Sequence, residues 1–155
     1  LPKPYHNVGN LVLRQNPDVV WNAIVDMEAM PVSGSSQHSV QLLSEEDEPP
    51  MWLIDMGSSQ LTVQTIAADK PHKLVRVIAD SVVPMTARFE YALTPMGTGT
   101  DLTIREEGFI DNGTWHVPIF RIMVRVMRGA GVRLYCQQLA NHLGETAVPI
   151  INKIL

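Results

Sequence analysis

A run of short strands between residues 51 and 110 constrains the fold of this chain more than any other feature. Each stretch alternates apolar and polar side chains or is rich in β-branched and aromatic residues, which is typical of strands. The connections between them are short and contain glycine, proline, aspartate or serine. Strands joined so closely pair as antiparallel neighbours, because a parallel pair needs a long crossover. The sequence therefore predicts an antiparallel meander, made of MWLIDM, LTVQTIAA, KLVRVIAD, MTARFEYALTP and TDLTIREEGF.

Helical patterns lie on both sides of this meander. NVGNLVLRQ predicts a first strand, and NPDVVWNAIVDMEAMP after it predicts one or two short helices, with Asn16 as the cap and Pro17 in the first turn. HSVQLLS predicts a further strand. The pattern becomes helical again from Trp115 to Leu143, which gives the longest helix, and GETAVPIINKIL is interpreted as a tail. This order is typical of an α+β fold in which one curved sheet of about six to seven strands wraps the last helix.

Length and charge limit the classes of function. A chain of 155 residues fits one domain, which we expect to span residues 1–155. The net charge of -4, without a polybasic tract, argues against nucleic-acid binding. No apolar run reaches the length of about 18 residues that a membrane span needs. Because the chain begins Leu1-Pro2, we expect that an upstream segment such as an N-terminal anchor was removed, which leaves the cytoplasm or a membrane surface as compartments. We expect a monomer or a homodimer.

The sequence contains none of the common motifs of metal, nucleotide or nucleophile sites. Its 5 histidines fall in separate predicted elements, without the i,i+4 pair of a zinc-binding helix. Cys136 is the single cysteine, so an intrachain disulfide and a thiolate cluster are excluded, and its neighbours predict a buried thiol. GTGT lies in a turn between strands, where its glycines serve the turn. We therefore expect no metal and no cofactor.

The last strand of the meander, DLTIREEGF, carries the adjacent carboxylates Glu106 and Glu107. Successive strand side chains point to opposite faces, and Glu106 shares its face with Leu102 and Ile104, so Glu106 is predicted to point inward. Three environments remain open for it. Arginine neighbours would keep it ionised as a polar hook for a ligand, apolar neighbours would raise its pKa and make it a proton donor, and the open sheet edge would pair it with water or an exposed cation.

The succession of these elements resembles a known superfamily. The residues that carry the resemblance are PDVVWNAIVDMEAMP, KLVRVIAD, ALTPMGTGTDLTIREEG, PIFRIMVRVMRG and YCQQLANHLGE, which together span nearly the whole chain. In this order they resemble the START-like superfamily, also called SRPBCC, and most closely its bacterial polyketide cyclase/dehydrase-like branch. The resemblance implies a helix-grip fold, in which an antiparallel sheet wraps a long C-terminal helix around a deep apolar cavity. It also implies lipid or sterol carriage, hormone or quinone binding, or polyketide ring closure, and in some relatives an N-terminal anchor.

Inward positions of the strands and the last helix would line such a cavity. Tyr91 is notable among them, because a buried hydroxyl needs a partner, and Glu106 or a ligand could supply it. A role in packing the core remains the alternative at each apolar position. The candidate ligand-binding residues are Trp52, Ile54, Met56, Phe89, Tyr91, Leu93, Ile104, Glu106, Trp115, Arg125, Tyr135 and Leu139.

The last helix carries a row of arginines at Arg121, Arg125 and Arg128. An unbroken helix would continue this charged row through the apolar side of Tyr135. Either the helix breaks or kinks at Gly129–Gly131 and turns its apolar face inward, or the arginines line a polar end of the cavity. Two central glycines cost a helix about 2 kcal/mol relative to alanines, which favours the break.

These observations lead to a binding module as the first hypothesis. Its ligand would be a hydrophobic or amphipathic small molecule, such as a lipid, isoprenoid or polyketide-like compound, held between the sheet and the last helix. The enzymatic alternative is a cyclase or dehydratase in which Glu106, helped by Tyr91, moves protons. A third hypothesis is a scaffold domain of a membrane-anchored protein that binds no ligand. The lack of a catalytic constellation favours binding over catalysis.

Overall fold

The computed structural model describes residues 3–30, 37–82, 85–110 and 130–154. Trp115, the arginine row and Gly129 lie outside these residues, so the expectations about them, including the break at Gly129–Gly131, stay predictions. The described elements, in chain order, are β1 (Lys3–Leu13), α1 (Pro17–Val25), β2 (Ser39–Leu42), β3 (Met51–Asp55), β4 (Gln60–Asp69), β5 (Lys73–Asp80), β6 (Met85–Met96), β7 (Gly99–Ile110), α2 (Ala130–His142) and β8 (Ile150–Ile154).

All strands join one antiparallel sheet of 8 strands in the order β2-β3-β4-β5-β6-β7-β1-β8. The meander from β2 to β7 is continuous, and β1 returns to pair with β7. The predicted α+β class with a curved antiparallel sheet and a C-terminal helix is confirmed.

The sheet has one strand more than the upper number expected. The difference lies in the segment that was interpreted as a tail, where β8 pairs antiparallel with β1. Ile150 and Ile151 are β-branched and suit a strand, and β1 would otherwise present an unpaired edge. Pairing across the whole length of the chain decides this strand, which a local pattern cannot show.

The first helix forms where its start signals predict it. The Asn16 side chain accepts a hydrogen bond from the backbone N–H of Val19 at 3.0 Å, and Pro17 occupies the first turn. A cap of this kind satisfies a backbone donor that the helix itself leaves free. The helix then buries Val20, Trp21 and Ile24 against the sheet, with contacts to β6 and β7.

The inward side of the sheet carries two clusters of buried side chains. The larger cluster joins β1, β5, β6 and β7 to both helices, and α2 contributes Val132, Tyr135, Cys136 and Leu139 to it. Gly9 of β1 lets α2 approach closely, since a Cβ there would lie 2.5 Å from Cγ1 of Val132. The smaller cluster comprises Met27, Ile54, Leu61 and Val63. Neither described helix is long and apolar enough to cross a membrane.

Candidate functional site

A cavity of about 180 Å³ lies between β6, β7 and the beginning of α2. Strand alternation brings side chains of β6 and β7 to it at every second position, and the beginning of α2 borders it on the other side. Of the described residues that line it, Glu106 alone is charged. The described lining residues are Phe89, Tyr91, Ile104, Glu106, Gly131, Val132 and Tyr135.

Glu106 is held at this cavity by two neutral donors from β1. The Asn7 side-chain amide donates to Oε2 at 2.9 Å, and the Tyr5 hydroxyl donates to Oε1 at 3.2 Å. Asn7 lies directly opposite Glu106 in the pairing of β1 with β7, so the sheet register fixes this contact. Burial raises the pKa of the Glu106 carboxyl, while the two hydrogen bonds lower it and offset part of the rise. No ion pair joins Glu106 to a cation in the described part of the chain.

The Tyr5 ring reaches Glu106 because a glycine leaves room for it. Tyr5 faces Gly108 across the strand pair, and a Cβ on Gly108 would overlap the tyrosine ring. Only glycine permits so close an approach of ring and backbone. Burial raises the pKa of the Tyr5 hydroxyl, and the neighbouring Glu106 charge raises it further. Tyr5 therefore stays protonated as a donor to Glu106.

A second charged group lies deeper on the same face of the sheet. Arg76 of β5 is 3% exposed, and its Nη2 donates to the Tyr91 hydroxyl at 2.8 Å while Nη1 donates to the carbonyl of Ile24 at 3.3 Å. Its guanidinium carbon also lies 4.6 Å from the centroid of the Tyr91 ring. No carboxylate among the described residues forms an ion pair with it. Because arginine does not lose its proton in proteins, Arg76 places a buried positive charge beside Tyr91, behind the cavity wall.

The sequence contains the signal for Arg76, although it was not among the predicted site residues. On KLVRVIAD it alternates with Leu74 and Ile78, and both neighbours on that face are partly or fully buried. The strand period that predicts an inward Glu106 predicts an inward Arg76 in the same way. Its role as partner of Tyr91 depends on the pairing of β5 with β6.

Tyr135 of α2 completes the polar part of the wall. Its ring packs edge-on against Tyr91, with 5.9 Å between the ring centroids. Burial and the neighbouring Tyr91 raise the pKa of the Tyr135 hydroxyl, against which the positive charge of Arg76 acts. The hydroxyl is close enough to feel that charge, yet it makes no hydrogen bond of acceptable geometry with any described residue. The hydroxyl oxygen is fully buried on the side of Arg76, so Tyr135 presents its ring to the cavity.

Known proteins resemble this chain in structure. No family model and no curated protein matches the sequence. The structure is similar to the Zhui aromatase/cyclase from a Streptomyces species, with a TM-score of 0.71, 12% identity, and coverage of 92% of this chain and 94% of that chain. It is also similar to a conserved protein from Geobacillus kaustophilus (TM-score 0.70, 12% identity, 93% and 98% covered). A third similar structure is a norcoclaurine synthase point mutant from Thalictrum flavum in complex with a transition-state analogue (TM-score 0.66, 8% identity, 93% and 97% covered).

The chain has the helix-grip fold of START-like proteins. The superfamily resemblance of its sequence is thereby confirmed at the level of the fold. At such low identities the likeness establishes the fold alone.

The predicted site residues separate into four groups. Phe89, Tyr91, Ile104, Glu106 and Tyr135 come together at the cavity. Leu93 and Leu139 are buried in the larger cluster. Ile54 is buried in the smaller cluster, against which Trp52 and Met56 pack. Trp115 and Arg125 lie outside the described residues. A ligand-binding role of each of these residues stays a prediction.

The partner expected for Tyr91 needs a correction. Its hydroxyl accepts a hydrogen bond from Arg76, and the tyrosine hydroxyl bonded to Glu106 is that of Tyr5. The physical reason is register: Phe89 lies opposite Glu106, and Tyr91 lies opposite Ile104. Glu106 therefore has its hydrogen-bond partners on β1, and Tyr91 has its partner on β5.

Proposed function

We propose that this helix-grip chain binds a hydrophobic or amphipathic small molecule in the cavity between β6, β7 and α2. The observation that carries the proposal is a cavity with an apolar, aromatic wall and one inward carboxylate. Ligand sites combine a largely apolar lining with a few polar groups that orient the bound molecule.

The size of the cavity narrows the ligand. A dry cavity of about 150 Å³ in another protein admits benzene, whereas pockets for drug-sized compounds start at about 300 Å³. The cavity of about 180 Å³ therefore suits a single ring or a short chain. Among the classes that the sequence suggested, we favour a one-ring compound, or the ring-sized part of a larger polyketide-like or isoprenoid molecule. The similar folds named as an aromatase/cyclase and a norcoclaurine synthase support small-molecule chemistry in general.

Titration with toluene tests binding in the cavity. We expect amide chemical-shift changes in β6, β7 and α2, and an increase in melting temperature with toluene concentration, because a ligand of the folded state stabilises it. Ile104→Phe, which places a larger side chain at the cavity wall, should abolish both effects. Val12→Phe is the matched control, since it adds the same ring at a strand position that is 51% exposed. If toluene leaves the wild-type spectrum unchanged, or if folded Ile104→Phe responds as strongly as wild type, the proposed binding site is wrong.

Acid–base catalysis at the same cavity is the second candidate. It is favoured by one observation, the burial that raises the pKa of Glu106 beside the cavity. A carboxyl with a raised pKa can give a proton to a bound carbonyl compound and take one back. The hydroxyl positioned to assist would be that of Tyr5, which bonds directly to Glu106.

The test of catalysis separates turnover from binding. With a one-ring carbonyl compound that wild type converts, Glu106→Gln should lose turnover while it keeps affinity for the compound. Glu107→Gln removes the neighbouring carboxylate on the outer face, where the side chain is 41% exposed, and should keep full turnover. Full activity of the Glu106→Gln variant would exclude Glu106 as the acid.

A further inference from the structure

Glu106 is a lining residue that has capacity left to bind a ligand. Its two oxygens have about four lone-pair positions, and Asn7 and Tyr5 occupy one on each oxygen. Both donors are buried, whereas Glu106 itself is only partly buried and borders the cavity. The carboxylate can therefore accept a further hydrogen bond from a molecule in the cavity.

The order of the strands sets the direction from which that hydrogen bond comes. β7 lies between β6 and β1 in the sheet. The two donors that Glu106 already has come from β1, and neither is among the described residues that line the cavity. The cavity lies on the β6 side of β7. A further donor to Glu106 therefore approaches through the cavity.

The described wall does not supply such a donor. The hydroxyl of Tyr91 is bonded to Arg76, and that of Tyr135 is buried on the side of the same arginine. Apart from Glu106, the other described lining side chains have no polar atoms. A hydroxyl group on the ligand suits this wall better than an ammonium group, because Arg76 already places a positive charge behind Tyr91 and burial of a second cation is costly.

The register of β6 and β7 gives the cavity two different ends. Phe89 lies opposite Glu106, and Tyr91 lies opposite Ile104, and all four residues line the cavity. The first pair combines a ring with a carboxylate, and the second combines a ring with an aliphatic side chain. Aromatic ligands gain from packing against other rings at either end, but a hydroxyl group finds an acceptor at the first pair alone.

We propose that the cavity selects a one-ring compound with a neutral hydroxyl group, such as a phenol, which donates its proton to a hydrogen bond with Glu106. The apolar end of the compound lies against Ile104 and Tyr91. This inference rests on the proposed function and names the ligand class of that same cavity. Glu106 is then the residue that determines specificity.

Three compounds of nearly the same shape test the contact with Glu106. Para-cresol, para-fluorotoluene and para-xylene carry a hydroxyl group, a fluorine atom and a methyl group at the same ring position, and only the hydroxyl donates a hydrogen bond. NMR titration of wild type at pH 8, where a phenol keeps its proton, gives their dissociation constants. Para-cresol should bind about tenfold more tightly than the other two, since its partner is a charged acceptor.

The orientation of bound para-cresol is a second measurement that needs no variant. Intermolecular nuclear Overhauser effects should connect its methyl group to the methyl groups of Ile104. The ring protons beside its hydroxyl should give effects to the ring of Phe89, which lies opposite Glu106.

A pair of substitutions assigns the preference to one carboxylate. Glu106→Met keeps the length of the side chain but removes the acceptor, so this variant should bind the three compounds with nearly equal affinity. Glu107→Met makes the same change on the outer face, where the side chain is 41% exposed, and should keep the preference of wild type for para-cresol.

The outcomes separate this inference from the proposed function. If the three compounds bind wild type equally, the inference is wrong and the apolar cavity stands as a binding site. A preference for para-cresol that survives in folded Glu106→Met, or a bound para-cresol whose methyl group lies beside Phe89, also overturns the inference. Tighter binding of benzylamine than of para-cresol would assign the cavity to cations and overturn it as well. If wild type binds none of these compounds, the proposed function itself fails, and the inference fails with it.

Discussion

The two ends of the inward sheet face solve the same packing problem in different ways. Around β3 and β4, Ile54 is 0% exposed in a cluster whose buried members Met27, Leu61 and Val63 are all apolar. Around β6 and β7, Ile104 is 1% exposed, yet it also borders a cavity together with Glu106 and two tyrosines. Equal burial thus occurs both within an apolar cluster and beside a cavity.

This difference teaches that exposure alone does not identify a site in a helix-grip fold. A cluster of apolar side chains needs no polar partner, whereas the Glu106 carboxylate at the cavity wall leaves some of its possible hydrogen bonds to the described residues unmade. Those unmade interactions are what a ligand could supply. Matched substitutions at the two ends show whether the distinction holds in energy.

The largest loss of stability is expected when Ile54 or Ile104 is replaced by alanine. Ile54→Ala should lower the free energy of unfolding by about 4 kcal/mol, and Ile104→Ala by about 3 kcal/mol, within the range for large-to-small core substitutions. The second cost is smaller because part of the Ile104 side chain faces the cavity and has fewer contacts to lose. Urea unfolding of both variants measures the two values. Equal losses would mean that the cavity wall packs as tightly as the smaller cluster.

Replacing Tyr91 or Tyr135 by phenylalanine should change the stability less than the isoleucine substitutions do, and the two changes should differ from each other. Tyr91→Phe removes the acceptor of a buried guanidinium and should cost about 2 kcal/mol. Tyr135→Phe removes a hydroxyl that makes no hydrogen bond of acceptable geometry with the described residues, so it should be neutral or stabilising by up to about 1 kcal/mol. Thermal unfolding under identical conditions compares them. A loss of stability in Tyr135→Phe as large as that in Tyr91→Phe would show that Tyr135 has a partner in solution.

The smallest effect concerns the pH dependence of stability. Burial raises the pKa of Glu106 above its ordinary value of 4.5, so its protonated form is favoured in the folded state. Its contribution is therefore fully present below that value and is lost as pH rises through the folded-state pKa. Between pH 4 and pH 8, Glu106→Gln should therefore lose less stability than wild type, and the midpoints of urea unfolding at the two pH values measure the difference. Glu107→Gln retains the buried carboxylate and should behave like wild type.

Local sequence patterns predict much of the fold and some of the residues that line the cavity. The strand period places Glu106 on the face of Leu102 and Ile104, and the structure has it at the cavity on that face. The same period was sufficient to place Arg76 inward, but an arginine on a strand is usually taken as a surface residue. The β8 strand was missed because its evidence is the free edge of β1, which lies far away in the sequence.

The amino-acid sequence by itself determined the alternation of faces, the helix start at Asn16 and the order of elements that defines the fold class. These properties depend on side chains a few residues apart, which the backbone geometry of strands and helices brings to fixed positions. Only the tertiary structure decided that Glu106 meets Tyr5 and Asn7, that Arg76 meets Tyr91, and that a cavity remains beside them. Such contacts depend on strand register and on the fit of α2 against the sheet, and both are set by the packing of the whole chain.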